Sequence, residues 1–142
     1  MTDATELTEC VDGIVHEDTQ LHDGGLDLTV AAIHGIDTPG EIDFGGDELD
    51  AAVTSPHETN LRHPDDDYEW WELGEGTYLV EVNETLSTTE PLVCQPRTAL
   101  LERGGSHPTL FVRELGRMPL SVPPAGLNLK ENARVSTLRS PQ

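Results

Sequence analysis

The chain has 142 residues, enough for one domain with a core and too few for two comfortable ones. It carries 27 acidic against 8 basic residues, a formal net charge of −19, and Lys130 is its only lysine. That balance excludes DNA and anionic membranes as partners, because their phosphates would be repelled, and no run of about 18 apolar residues offers a membrane-spanning helix.

Self-repulsion at this charge is relieved by salt, whose Debye length falls to about 3 Å near 1 M. The lysine-poor acidic surface therefore reads as that of a halophilic protein. The start of the chain, Met1 to Glu6, has neither the basic opening nor the apolar middle of a signal peptide, which predicts a cytoplasmic location. Cys10 and Cys94 are far apart in such a chain and are expected as free thiols. The charge is also uneven. Residues 1–96 hold 24 acids and one base, Arg62, whereas residues 97–142 hold three acids and seven bases. A net-positive last third suggests a small anionic ligand; arginines pairing with N-terminal acids would explain it equally well.

The elements follow in chain order. In "GLDLTV" (25–30) Leu26, Leu28 and Val30 alternate with Asp27 and Thr29, the pattern of a half-buried strand. "DELDAAV" (47–53) has room for one or two helical turns. Residues 54–69 are polar and turn-rich and predict a long surface loop before a strand near Trp70 and Trp71. "TYLVEV" (77–82), "PLVCQ", "TLFVREL", "PLSV", "GLNL" and "ARVSTL" continue the alternation, with glycine and proline turns between them. "TALLER" (98–103) is the best helix candidate, with Thr98 as N-cap and Gly104 just past its end. Residues 139–142 are expected to fray. Many short strands with frequent turns predict one all-β domain over 1–142.

Few motifs carry chemistry. The six histidines form no HxH or HxxxH, and neither cysteine has a metal-spaced partner, so no protein-held metal is expected. "DDDYEWWE" begins like a calcium loop but has Trp70 where the glycine belongs. There is no GxSxG, no GxGxxG and no Walker loop. "PRTALL" (96–101) remains. Arg97 can give charge-assisted hydrogen bonds to phosphate, and Thr98 would place a hydroxyl and backbone N–H groups beside it. A structural arginine next to a helix start is the plainer alternative.

"PRTALLERGG" (96–105) resembles the arginine–hydroxyl motif shared by dCTP deaminases and trimeric dUTPases. "DGGLDLTV" (23–30) is similar to that superfamily's first motif, "WELGEGTYLVEVNETL" (71–86) to its L-x-P-G-x-Y-L-V strand, and "LNLKENARVSTL" (127–138) to its late K-x-G-x-R-I-A-Q-L strand. The four occur in the superfamily's order. The resemblance implies a distorted β-barrel or jelly roll with one short helix after the Pro-Arg motif. It implies a homotrimer with sites between subunits, acting on pyrimidine deoxynucleoside triphosphates with Mg²⁺ held mainly by the substrate phosphates. Arg97 and Thr98 would bind phosphate oxygens. Asp27 would be the first-motif carboxylate, with a structural or metal-water role, and Arg134 the late-strand arginine. An outward polar residue and a surface ion pair are the plainer readings of these last two.

The departures are specific. The hairpin expected after the arginine motif reads "SHPTLFVRELGRMPLSVPPAG" and contains neither the aspartate nor the tyrosine of dUTPases. Glu114 is its only carboxylate and takes the place of a deaminase general acid/base. Thr137 stands where the superfamily has glutamine, and no glycine follows Gly126. With a glutamate present and the aspartate absent, deamination of dCTP is expected over hydrolysis of dUTP. A catalytically degenerate nucleotide-binding module and an unrelated acidic β-sandwich are the alternatives.

Overall fold

The structure, a computed structural model, describes residues 4–141. In chain order it runs α1 (Ala4–Cys10), β1 (Val11–Asp12), α2 (Glu17–Gln20), β2 (Leu21–His22), β3 (Gly25–Thr38) and β4 (Val53–Pro56). Next come β5 (Trp70–Leu73), β6 (Gly76–Val82), β7 (Thr85–Leu86), β8 (Leu92–Pro96) and α3 (Thr98–Leu101). β9 (Leu110–Val112), β10 (Met118–Val122), β11 (Leu127–Lys130) and β12 (Arg134–Arg139) complete the series. The predominantly β class read from the alternating segments is the observed one.

Strands pair in the order β10-β6-β3-β12-β8-β9, with β2 and β4 added to β3; β1–β7 and β11–β5 form separate pairs. β9 and β10 are the two ends of the long path, yet only residues 113–117 join them. The six Cα steps between the strands reach about 21 Å, whereas five inter-strand gaps laid flat would measure about 24 Å. The sheet must curl. Cys94 Sγ on β8 accordingly lies 3.6 Å from Met118 Sδ on β10, inside the half-barrel.

Two apolar clusters fill the curl. Leu26, Leu28, Cys94, Met118 and Leu138 form one together with Leu7 of α1, and Val30, Ile33, Trp71, Leu120, Leu129 and Val135 form part of the other. The alternation read over 25–30 is correct but stops too early. A register shift between Val30 and Ala32 inserts an extra residue, so the inward parity passes from Val30 to Ile33 and the strand continues to Thr38. A period-two pattern cannot be followed across such a bulge.

Three further segments differ from expectation. Residues 47–53 form no helix: Asp43 accepts hydrogen bonds from the Gly46 and Glu48 N–H groups, and Glu41 and Asp50 pair as a bridge. A side-chain turn has captured the backbone groups that a helix would use. The polar loop begins later than expected, because 53–56 is strand β4 paired with β3. At the other end β12 runs to Arg139, which pairs with Val93; Gln142 lies outside the described residues.

Buried polar groups knit β3 to its surroundings. Glu84 is 2 % exposed and accepts from Thr29 N–H and from Gln20 Nε2, both at 2.9 Å, and from the Thr29 hydroxyl. Gln20 also donates to the Asp27 carbonyl and accepts from Val15 and His16 N–H. On the opposite face His107 Nδ1 meets the Pro108 carbonyl at 2.8 Å, so this nitrogen carries the proton and Nε2 accepts from the Ser136 hydroxyl at 2.7 Å. Burial holds the His107 pKa below its usual value, and burial pushes the Cys94 thiol up to about 11, a weaker Ser136 hydrogen bond opposing it.

Two outcomes are expected. Glu84→Ala strands three buried donors and should lower unfolding free energy by roughly 3 kcal/mol in urea titrations at fixed salt, and a loss under about 1 kcal/mol would show that water replaces the carboxylate. The His107 pKa lies lower in the fold than in the unfolded chain, which takes its proton near pH 6.5, so stability falls as pH drops through that value. Urea curves at pH 7 and 5.5 should show this loss in the wild type and a smaller one in His107→Gln.

Candidate functional site

Strand parity assembles the site. Thr137 on β12 pairs with Asp27 on β3 and with Gln95 on β8, so the three share one face of the sheet. Arg97, two residues past Gln95, and Arg139, two past Thr137, continue that face. Arg134 would point the other way by simple alternation. A bulge between Arg134 and Ser136 reverses its parity and sets it opposite Thr29, beside Asp27.

Asp27 is fully buried and holds four donors. Its Oδ1 accepts from Thr137 Oγ1 at 2.7 Å and from His22 Nε2 at 2.8 Å. Its Oδ2 lies 3.2 Å from Arg97 Nε and 3.1 Å from Arg134 Nη1. His22 Nδ1 accepts from Gly24 N–H, which leaves Nε2 as the donor to the carboxylate. The arginines are locked further: Arg97 Nη1 donates to the Arg134 carbonyl, and Arg134 Nη1 to the Thr19 carbonyl. The turn that swings His22 over Asp27 depends on Gly25, whose φ is +142° and where a Cβ would overlap the Leu138 carbonyl oxygen.

Beside this cluster lies a pocket of about 200 Å³, lined among others by His22, Gln95, Arg97, Thr98, Thr137 and Arg139. Thr98 is exposed at its edge and is the first helical residue, not the N-cap. Arg97 is the N-cap, extended in backbone, with its N–H bonded to the Val135 carbonyl and its own carbonyl receiving the Leu100 and Leu101 N–H groups. The helix therefore starts one position earlier than expected. It ends at Leu101, short of the expected 98–103, and turns carry the chain to Gly104 at φ +86°.

Three of the sequence-selected residues, Asp27, Arg97 and Arg134, thus make direct contact, and Thr98 joins them at the pocket. Glu114 does not join them. It is exposed on the bend after β9, next to Arg113, which donates to the Thr89 carbonyl. Val112 pairs with Leu92, five residues before Arg97 on β8, which is roughly 16 Å along a strand. His22 was not selected. Its signal was the turn Asp23-Gly24-Gly25, which folds β2 back onto β3 and pairs Leu21 with Leu26. Thr137 was singled out only as a departure, and the structure gives it a hydrogen bond to Asp27.

Among the described residues no three His, Cys, Asp or Glu side chains are placed to hold a metal. Asp27, the carboxylate beside the pocket, is already occupied by four donors, so the metal-water role is a poor fit and the structural role a good one. A second pocket of about 230 Å³ lies past Ala99, with an apolar floor and Trp70 as a wall; Arg62 stacks 3.5 Å above that ring.

No family model matches the sequence. Two curated relatives do. A Methanosarcina mazei protein named "Probable deoxyuridine 5′-triphosphate nucleotidohydrolase" is 31 % identical over 135 residues, covering 90 % of this chain and 75 % of the relative. A Methanosarcina acetivorans protein of the same name matches with the same identity and coverage. The chain belongs to the dUTPase-like superfamily. In this member the first-motif aspartate and the two motif arginines form one ion cluster around a buried carboxylate.

Replacing Asp27 by Asn removes the only charge that, among the described residues, pairs with Arg97 and Arg134. We expect Asp27→Asn to cost about 3–5 kcal/mol of unfolding free energy. A loss below about 1 kcal/mol would show that the arginines are held by their carbonyl contacts instead.

Proposed function

We propose that the protein hydrolyses dUTP to dUMP and pyrophosphate in the pocket between β8, β12 and the start of α3. The observation that carries this reading is the ordered pair Arg97–Thr98 beside a buried aspartate, in a chain whose curated relatives are named for that reaction. Water attacks the α-phosphorus and the bond to the bridging oxygen breaks, releasing pyrophosphate. Arg97 and Thr98 hold phosphate oxygens, and the guanidinium offsets negative charge in the transition state. Asp27 is a positioning residue: it fixes Arg97 and Arg134 without touching substrate. Mg²⁺ arrives in this reading with the triphosphate, because the described residues offer no ligand set of their own.

Hydrolysis is favoured here over the deamination expected from sequence. Both relatives are named for it, and Glu114, on which deamination rested, stands at the far end of β8. We also propose the superfamily's usual homotrimer, with sites between subunits. Glu114 takes part in this reading only as a residue brought by a neighbouring subunit, and unchanged turnover in Glu114→Gln would remove it.

The test is product analysis with Mg²⁺ and either dUTP or dCTP, in KCl high enough to screen a net charge of −19. The expected products are dUMP and pyrophosphate. Formation of dUTP from dCTP would restore deamination, and binding without products would make the chain a nucleotide-binding module. Arg97→Ala should weaken triphosphate binding by about 1.5–3 kcal/mol, the range for charged hydrogen bonds.

A further inference from the structure

We propose that Arg139, outside the four recognised motifs, grips a phosphoryl group in the same pocket. This rests on reading that pocket as a phosphate site, and it adds the residue that supplies the site's uncommitted positive charge.

The other basic groups lining the pocket are already engaged. Arg97 is bound to Asp27 and to the Arg134 carbonyl, and His22 to Asp27 and Gly24 N–H. Arg139 differs. Among the described residues its guanidinium makes no hydrogen bond and no ion pair, and its Nε is buried without an acceptor. A buried guanidinium N–H lacking an acceptor is rare in folded proteins and points to a partner from outside the chain. The fork of a guanidinium matches phosphate oxygens, which can take two of its N–H groups together.

Its placement is built rather than incidental. β12 pairing with Val93 fixes the backbone of Arg139, and strand parity aims it to the side of Thr137 and Asp27. The side chain passes over Gly24. A Cβ at that position would stand 3.2 Å from both terminal nitrogens, so the glycine leaves the guanidinium its room. Charge points the same way. Among the described residues Asp27 alone pairs with Arg97 and Arg134, and Arg139 adds a third cation with no acid paired to it. In a chain of net charge −19, a site of net positive charge selects a compact, highly charged anion over a long polyanion.

The experiment uses inorganic pyrophosphate as probe, titrated calorimetrically into the full chain at fixed KCl. Wild-type protein should bind it, and Arg139→Gln should lose tenfold or more in affinity. Gly24→Ala keeps Arg139 but crowds its guanidinium, so it should lose affinity as well; it carries the test if Arg139→Gln does not fold. Arg113→Gln, which removes an exposed base remote from the pocket, should bind as wild type. No pyrophosphate binding by the wild type, unchanged affinity in a folded Arg139→Gln, or an equal loss in Arg113→Gln would each overturn the assignment. The two readings fail separately. Arg139-dependent pyrophosphate binding without dUTP turnover removes the hydrolase and keeps this site. Turnover with an unchanged KM in Arg139→Gln removes Arg139 and keeps the hydrolase.

Discussion

The site depends on one carboxylate with no access to water. Asp27 lies near the start of the longest strand and receives two arginines, a threonine and a histidine. A buried charge survives only when it is paired and its lone pairs are occupied, and both conditions are met here. The same contacts bring together three distant parts of the chain: the β2–β3 turn, the end of β8 and the whole of β12. Arg97 is therefore rigid before any ligand arrives, which spares a binding event the entropy of ordering it.

A second buried carboxylate supports the first. Among the described residues Glu84 forms no ion pair, and it is satisfied by neutral donors from Thr29 and Gln20. Gln20 then passes the restraint to the Asp27 carbonyl. β3 is thus held by apolar packing on one face and polar bonds on the other. The alternation of "GLDLTV" describes the first face well. It gives no warning that the polar face is covered too, because a polar residue facing solvent and one facing a buried network look the same in sequence.

The uneven charge along the chain resolves in part as ion pairing. Arg97 and Arg134 pair with an N-terminal acid, and Arg117 pairs with Glu81. Arg139 remains uncommitted beside the pocket. The acidic majority meanwhile lies largely on exposed positions such as residues 41–50 and 65–67. There its repulsion is a matter for solvent and salt rather than for the fold.

Much of this was legible from sequence: the β class, a short helix after Pro96-Arg97 followed by a positive-φ glycine at 104, and three residues of the cluster. Local chemistry decides those features. Alternation marks strands, glycine permits a positive φ, and an arginine beside a hydroxyl is a short-range motif. The rest needed the folded chain. The bulges at Val30 and Arg134 reverse parity and cannot be read from a period of two. α1 is seven residues with Leu7 buried in the core, too short for periodicity to show. His22 and Thr137 joined the site, and Glu114 stayed outside it, through strand register alone. Sequence by itself thus determined which residues had the chemistry to hold phosphate. Only the tertiary structure decided which of them share a face, because pairing between strands far apart in the chain sets that, and no local signal encodes it.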